Sequence, residues 1–369
     1  MDFIKLWWGS MKMKNENKFI LELCKFNVDN KEILSELMDK GLDYPYVLGH
    51  LLYNRIGGIA YYTLKKHKLL SGVNREFRNT LKTVFETNVN KSNSLISALS
   101  HIKSACDTLK CEYALLKGAY LVDLYPRGLR TSNDIDFLVE PESITELSER
   151  LKETEFKQGY VRNDEFVPAD RREIIMSRMN RGETVPFVKE LNLPNMKFLE
   201  LDINFSLGFK PGMDEAVVTK FLSRTEPIIN GNLKTLNRVD FLLHLCAHLY
   251  KEATVINWVE MGRDISLYKY CDIYLFISNF FDDTYSTEFC KQAIDLQLRK
   301  ETYYALYYTK VLFDIDNPAL DKVLNEIKPK TTEFMTEIIR PSDDKKYYFK
   351  HDYIDWVFCS NRKENLYET

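Results

Sequence analysis

The 369-residue sequence is poor in several features that would place it quickly. Its seven cysteines (24, 106, 111, 246, 271, 290 and 359) are scattered and odd in number, with no Cys-x-x-Cys pair. That excludes a cysteine zinc site and a disulfide framework, and the expectation is reduced thiols in the cytoplasm. Charge of one sign is missing too: 51 Lys and Arg face 54 Asp and Glu, a formal net charge of −3. The basic surplus that grips a nucleic-acid backbone is absent, so nucleic acid is not the expected partner. No apolar run approaches the roughly 18 residues of a membrane span, so no membrane association is expected. The start, Met1 to Gly9, has Lys5 inside its apolar run and no small-residue cleavage site after it, and reads as a fraying helix rather than a signal peptide.

What is present is core material. Hydrophobic residues make up 45% of the chain and aromatics 13%, including 22 Tyr and 22 Phe, which excludes disorder. At roughly 100–200 residues per unit the length suggests about two structural units, or one catalytic core wrapped in helices. From Asn30 to about Leu70 the pattern is helical: Asn30 can cap Lys31–Leu34, Gly41 can end that helix, and Gly57-Gly58 is expected to separate two more. Glu76–Leu109 carries apolar residues at helical spacing, with a break expected near Asn88–Asn93. No repeat of 20–50 residues is visible.

The period then changes. Tyr113–Leu116 is a short apolar run ending in Lys117-Gly118, followed by a helical Ala119–Tyr125 and Pro126, a strand, glycine turn and helix. Asp134–Val139 is a second strand, leading past Pro141 into an amphipathic helix that reaches about Leu151. Residues 160–182 are polar and ambiguous. Thr184–Leu191 and Lys197–Phe205 alternate and read as a hairpin across Asn192–Asn195. Beyond Asn237 the chain is helical again to Leu312. These readings give an α/β (α+β) fold: a small mixed-sheet core at 96–210, with an N-terminal helical region at 1–95 and a C-terminal helical region at 211–369 that together form a cleft.

Asp134-Ile135-Asp136 places two carboxylates on one face of a strand, with α-carbons roughly 6.6 Å apart, where they can share a hard cation. Asp314-Ile315-Asp316 has the same spacing, but it follows a helical run and precedes Asn317-Pro318, the pattern of a solvated helix end and a new cap. Upstream of Asp134, the small residues of Lys117-Gly118-Ala119 leave backbone N–H groups free to meet a triphosphate at a helix N-terminus. Downstream, alternation in Leu199–Asn204 puts Glu200, Asp202 and Asn204 on one face. Glu200 reads as a solvated position beside the site. His244 and His248, one helical turn apart, lack the Glu of a zinc motif and a third ligand, and read as buried, hydrogen-bonded core. Lys269 and Asp272 read as an ion pair within a helix. The Tyr- and Phe-rich stretches at 303–308 and 347–349 read as core, and residues 331–369 carry no assignment.

A glycine turn after a first strand, an Asp-x-Asp and a later strand Asp resemble the polymerase-β-type nucleotidyltransferase superfamily. More closely, Leu115–Ala119, Leu124–Pro126 and Arg130–Val139, with helical flanks at His50–Arg55, Asp240–His248 and Leu267–Tyr274, resemble the bacterial uncharacterised nucleotidyltransferase family, also called family 5, over roughly residues 45–280. The resemblance implies a metal-dependent enzyme that moves a nucleoside monophosphate, AMP foremost, from a nucleoside triphosphate to a hydroxyl or other nucleophile of a small molecule or peptide, releasing pyrophosphate. It implies two Mg²⁺, with Mn²⁺ as a substitute, held by Asp134, Asp136 and Asp202. Asp202 would double as general base. Gly118 and Ala119 would hold the triphosphate, with Lys117, Arg130 and Ser132 as further nucleotide contacts. Where many relatives have Asp-x-His on the third strand this chain has Asp202-Ile203-Asn204, and Asn204 cannot act as a base. Two alternatives remain open: a toxin-like transferase acting on tRNA or protein, and a non-catalytic nucleotide sensor.

Overall fold

The computed structural model of the chain describes residues 13–132, 134–208, 212, 214–228, 233–349 and 352–368. The expected helix at 1–9 lies outside the described residues. Four helices open the fold: α1 (Asn15–Cys24), α2 (Lys31–Asp39), α3 (Tyr44–Tyr53) and α4 (Gly57–Lys66). Asn30 does precede α2, but its amide turns away from the helix and donates to the backbone oxygen and Oε2 of Glu22, 2.8 Å each. Gly57 and Gly58 form the first turn of α4 rather than a spacer. A side chain at Gly58 would put its Cβ 2.2 Å from the Gly128 carbonyl oxygen, so glycine is there to let two backbones meet.

Helix α5 (Arg75–Cys106) runs unbroken through Asn88–Asn93, where a break was expected. Its polar middle looks inward: Asn88 donates to the Gly128 oxygen at 3.3 Å and Ser92 to that of Arg130 at 3.0 Å. Polar residues that look like a gap are thus the struts holding the 128–130 loop.

There follow β1 (Tyr113–Leu115), α6 (Lys117–Leu124), β2 (Asp134–Val139), α7 (Ile144–Glu153), β3 (Lys157–Arg162), β4 (Glu165–Pro168), α8 (Arg171–Asn180), β5 (Phe187–Leu193), β6 (Met196–Asn204), α9 (Glu215–Leu222), β7 (Thr225–Ile228) and β8 (Leu233–Leu236). The strands make one eight-stranded mixed sheet in the order β4-β3-β5-β6-β2-β1-β8-β7. Pairing is parallel for β2 with β6 and for β1 with β8, and antiparallel elsewhere. The expected hairpin is β5–β6, with Leu193 opposite Met196. The ambiguous 160–182 stretch is the β3–β4 hairpin and α8. Two strands of this sheet, β7 and β8, come from beyond residue 210.

The rest is α10 (Arg238–Ala253), α11 (Ile256–Glu260), α12 (Leu267–Phe280), α13 (Asp283–Asp295), α14 (Arg299–Phe313), α15 (Pro318–Ile327), β9 (Glu337–Arg340), β10 (Lys345–Phe349), α16 (Tyr353–Phe358) and β11 (Leu366–Glu368). Strands β9–β11 form a second, three-stranded sheet. Among the described residues no helix is long and apolar enough to cross a membrane.

Alternation along the central strands divides the interior in two. Ile135, Phe137, Leu199, Leu201 and Ile203 enter one core with α5 and α7. Ala114, Leu116 and Leu138 face the other core, where the opening helices meet α10, α12, α14 and the buried Trp356. Each buried Leu, Ile or Phe side chain among these contributes about 1.5–3 kcal/mol. A one-residue slip of β2 would bury its two carboxylates in the α5–α7 core, so the register is fixed by the same pattern that aims the acids.

Gly58→Ala is expected to lower stability by about 1–3 kcal/mol in urea unfolding, the range for forced overpacking. Gly49→Ala, at an exposed position of α3 with open space around it, should be neutral or stabilising by about 0.5–1 kcal/mol. Equal effects of the two would contradict the Gly58 contact.

Candidate active site

Strand register assembles the acids. Asp134 stands opposite Glu200, and Asp136 opposite Asp202, on the parallel pair β2–β6. Partners in register share a face. Three carboxylates and Glu200 therefore lie on the sheet face that looks toward α10 and α12. Asp136 is buried, Asp134 and Asp202 partly so.

Each acid has a partner that limits its freedom. Ser132 donates its hydroxyl to Asp134 Oδ1. Asp136 Oδ1 receives the Lys117 ammonium at 3.4 Å and the Asn204 amide at 3.3 Å. Asn204 thus keeps a polar role where a base was in question. Asp202 is the stressed member: burial first, then Asp136, Asp134 and Glu183, hold its carboxyl well above the usual range, with Lys117 opposing. Glu200 is raised more simply, by burial and by Asp134.

The turn behind the acids is tight. Leu116 donates its N–H to the Asp136 carbonyl at 2.8 Å, which ties β1 to β2 just before α6 begins. A Cβ on Gly118 would lie 2.7 Å from Ser132 Cβ and 3.0 Å from the Asp134 oxygen, so only glycine lets the turn approach that loop. Lys117 holds φ at +27°, outside ordinary L-residue space, a strain of the kind that costs about 1–3 kcal/mol and gathers at functional sites. The Ala119 N–H is engaged with the Leu116 oxygen at 3.2 Å.

The other expected nucleotide contacts are placed unequally. Lys117 is largely buried beside Asp136; burial opposes its charge, but Asp136, Glu252 and Asp134 outweigh it and hold the ammonium protonated. Arg130 is committed elsewhere. Its Nε meets both oxygens of Asp272 at 3.1 and 3.2 Å, and its guanidinium lies over the Tyr268 ring at 4.7 Å. Tyr125 donates to the same Asp272 at 3.0 Å. Lys269 and Asp272, expected to pair with each other, do not: Lys269 meets Glu252 at 2.6 Å. The decoy Asp314 and Asp316 lie apart, on a hollow of about 340 Å³ shared with Lys25 and Asp282, with Asp314 ending α14 and Asn317 capping α15.

On α10, His244 is buried as expected, and the partly buried His248 has the expected polar partner. His248 Nε2 lies 3.1 Å from Glu252 Oε2, and its ring stacks near that of His244 with centroids 6.1 Å apart. Burial pushes the His248 imidazole down to about 4, partly opposed by Glu252, and holds His244 well below its ordinary value. His244 Nδ1 is buried with no hydrogen-bond partner among the described residues. Lys251 is lowered by burial, with Glu183 and Asp136 within electrostatic reach. His244, His248, Lys251 and Glu252 follow at i, i+4, i+7 and i+8, a polar stripe on an otherwise apolar helix, and that periodicity is the signal by which they could have been found.

Among the described residues no three His, Cys, Asp or Glu side chains are gathered as a ready metal-binding group. Asp136 holds Lys117, and Asp134 holds Ser132. The donors are nonetheless hard oxygens in register on neighbouring strands, with a surplus of negative charge that a cation would relieve, which fits Mg²⁺ or Mn²⁺ chemically.

A folded-state carboxyl raised above its unfolded value keeps a proton that the unfolded chain has released. The metal-free protein therefore loses stability as pH rises from the ordinary carboxylate range through the Asp202 value. Asp202→Asn should flatten that slope and raise the melting temperature at neutral pH. Thermal melts in chelator from pH 5 to 8 measure this, and identical slopes for both proteins would refute the electrostatic account.

No curated protein and no solved structure matches the chain. One family does, described as uncharacterised nucleotidyltransferase, and its profile covers residues 43–314, taking in α3 to α5, the whole eight-stranded sheet and α10 to α14, but not α1 and α2. The matched span contains the glycine turn, the Asp-x-Asp strand and the third acidic strand described above. The chain belongs to the uncharacterised nucleotidyltransferase family.

Proposed function

We propose that the protein transfers a nucleoside monophosphate, AMP foremost, from a nucleoside triphosphate to a hydroxyl or other nucleophile on an acceptor, with pyrophosphate as leaving group. The observation that carries this reading is the face-sharing register of Asp134, Asp136 and Asp202 beside the strained turn at Lys117-Gly118. Those three carboxylates would hold Mg²⁺ or Mn²⁺. When bound, the cation polarises the α-phosphate and acidifies the attacking hydroxyl. Gly118 and the start of α6 orient the triphosphate, whose charge the helix N-terminus favours. Lys117, which pairs with Asp136, would neutralise the phosphates once a cation took its place on that carboxylate. Arg130, locked to Asp272, supports the loop that carries Ser132 and contributes field rather than a direct contact.

The acceptor is a small molecule or peptide in this reading. A macromolecular acceptor, tRNA or protein, is the second, and α8 favours it. That helix exposes Ile175, Met176 and Met179, at 45%, 46% and 66%, alongside Arg171, Arg172 and Arg178, in a segment that leads directly to Glu183.

The test incubates the purified chain with Mg²⁺, each labelled triphosphate in turn and a cell extract, and follows pyrophosphate release and labelled adducts. Wild type should release pyrophosphate with at least one triphosphate, and Asp136→Asn and Asp202→Asn should each lose turnover by orders of magnitude. Nuclease and protease treatment of the adduct sort the acceptors. Nucleotide binding with no release under any condition supports a nucleotide sensor instead.

A further inference from the structure

We propose that Glu183 is the general base that takes the proton from the acceptor hydroxyl, an assignment that rests on the nucleotidyl-transfer reading above. Glu183 pairs with Asn204 in an antiparallel bridge. Residues paired this way point to the same face of a sheet, so Glu183 joins Asn204, Asp202 and, through the β2–β6 register, Asp136. The bridge is pinned on both sides, by Thr184 N–H to the Ile203 oxygen and Phe205 N–H to the Gly182 oxygen, 2.9 Å each. Gly182 holds φ at +66°, and a Cβ there would lie 2.7 Å from Ser206 Cβ, so the segment is pressed against β6. From the α8 side Ser177 donates to the Glu183 carbonyl at 3.1 Å.

The other groups on this face are spoken for. Asp134 accepts from Ser132, and Asp136 from Lys117 and Asn204. Asp202 would be a cation ligand in the reading above, which moves the base role expected of it elsewhere. The Asn204 amide has no useful basicity. Glu183 is only partly buried, and among the described residues its carboxylate makes no hydrogen bond or ion pair. It also lies close enough to Asp202 and Lys251 to be felt by both. A carboxylate with open oxygens at the edge of the acid cluster is what an incoming hydroxyl would meet. Glu183 Oε accepts the proton as the acceptor oxygen bonds to the α-phosphorus. The bond from that phosphorus to the bridging oxygen breaks, its electron pair leaves with pyrophosphate, and Glu183 returns the proton to solvent. The chain thereby recovers, from the segment between α8 and β5, the base that Asn204 cannot be.

The experiment compares wild type, Glu183→Gln, Glu183→Asp and Glu200→Gln with Mg²⁺ and α-labelled ATP, or whichever triphosphate wild type turns over. Acceptors are water, the hydroxyl compounds of a cell extract, and hydroxylamine, a nucleophile that needs no deprotonation at neutral pH. Glu183→Gln should lower kcat for hydroxyl acceptors by about 10²–10⁴-fold, the usual contribution of a positioned base, with the KM and binding of the triphosphate within twofold. Glu183→Asp should restore part of the loss, and hydroxylamine should narrow the gap between Glu183→Gln and wild type. A Glu183→Gln rate within threefold of wild type, a gap that hydroxylamine leaves unchanged, or a larger loss from Glu200→Gln would each overturn the assignment. Wild type that binds nucleotide but releases no pyrophosphate would overturn the transfer reading itself, a result distinct from loss in the variant alone.

Discussion

Like charge held together in a poorly solvated place is the constraint on which this molecule turns. Two carboxylates about 4 Å apart at an effective dielectric near 20 repel by roughly 4 kcal/mol, an appreciable share of a domain's net stability. Asp136 and Asp202 are brought face to face by strand register, and the chain offsets the repulsion with one ammonium and one amide on Asp136, while burial and its neighbours hold the Asp202 carboxyl well above the usual range. Apolar packing on the opposite face of the sheet keeps the register from slipping. The acid cluster is an unfinished arrangement that a cation would complete.

The helices explain why the cluster is not simply solvated. Residues from Phe19 to Phe358 share a single core on the acidic side of the sheet, so the opening and closing helices act together as one wall. Within that wall the polar groups are partnered in chains: Arg130 with Asp272 and Tyr125, and Glu252 with His248 and Lys269. Lys117 couples the chains to the acids, since it sits against Asp136 and also feels Glu252. Displacing it from Asp136 would be felt along α10, which ties occupancy of the site to the helical wall.

The strands and the carboxylates were legible in the sequence because they obey short periods. Asp134 and Asp136 alternate with Ile135 and Phe137, and Glu200 to Asn204 alternate with Leu201 and Ile203, so both face and strand follow from spacing alone. The decoy at Asp314 was separable from its helical surroundings in the same way. What failed needed contacts far apart in sequence. The unbroken α5 could not be read because Asn88 and Ser92 find their partners some 40 residues on. Arg130 looked like a phosphate contact until Asp272, 142 residues away, claimed it. Glu183 and Lys251 were invisible as site residues because only the folded sheet and α10 bring them to the acids.

The central claim is that these carboxylates hold a divalent cation on a nucleotide. Crystals grown with Mn²⁺ and a non-hydrolysable triphosphate analogue would test it through the anomalous signal of the metal. The account predicts a peak within coordination distance of Asp136 and Asp202, with Lys117 moved off Asp136 toward the phosphates, and no peak in Asp136→Asn crystals. Nucleotide density at the site with Lys117 still on Asp136 and no metal signal would contradict it.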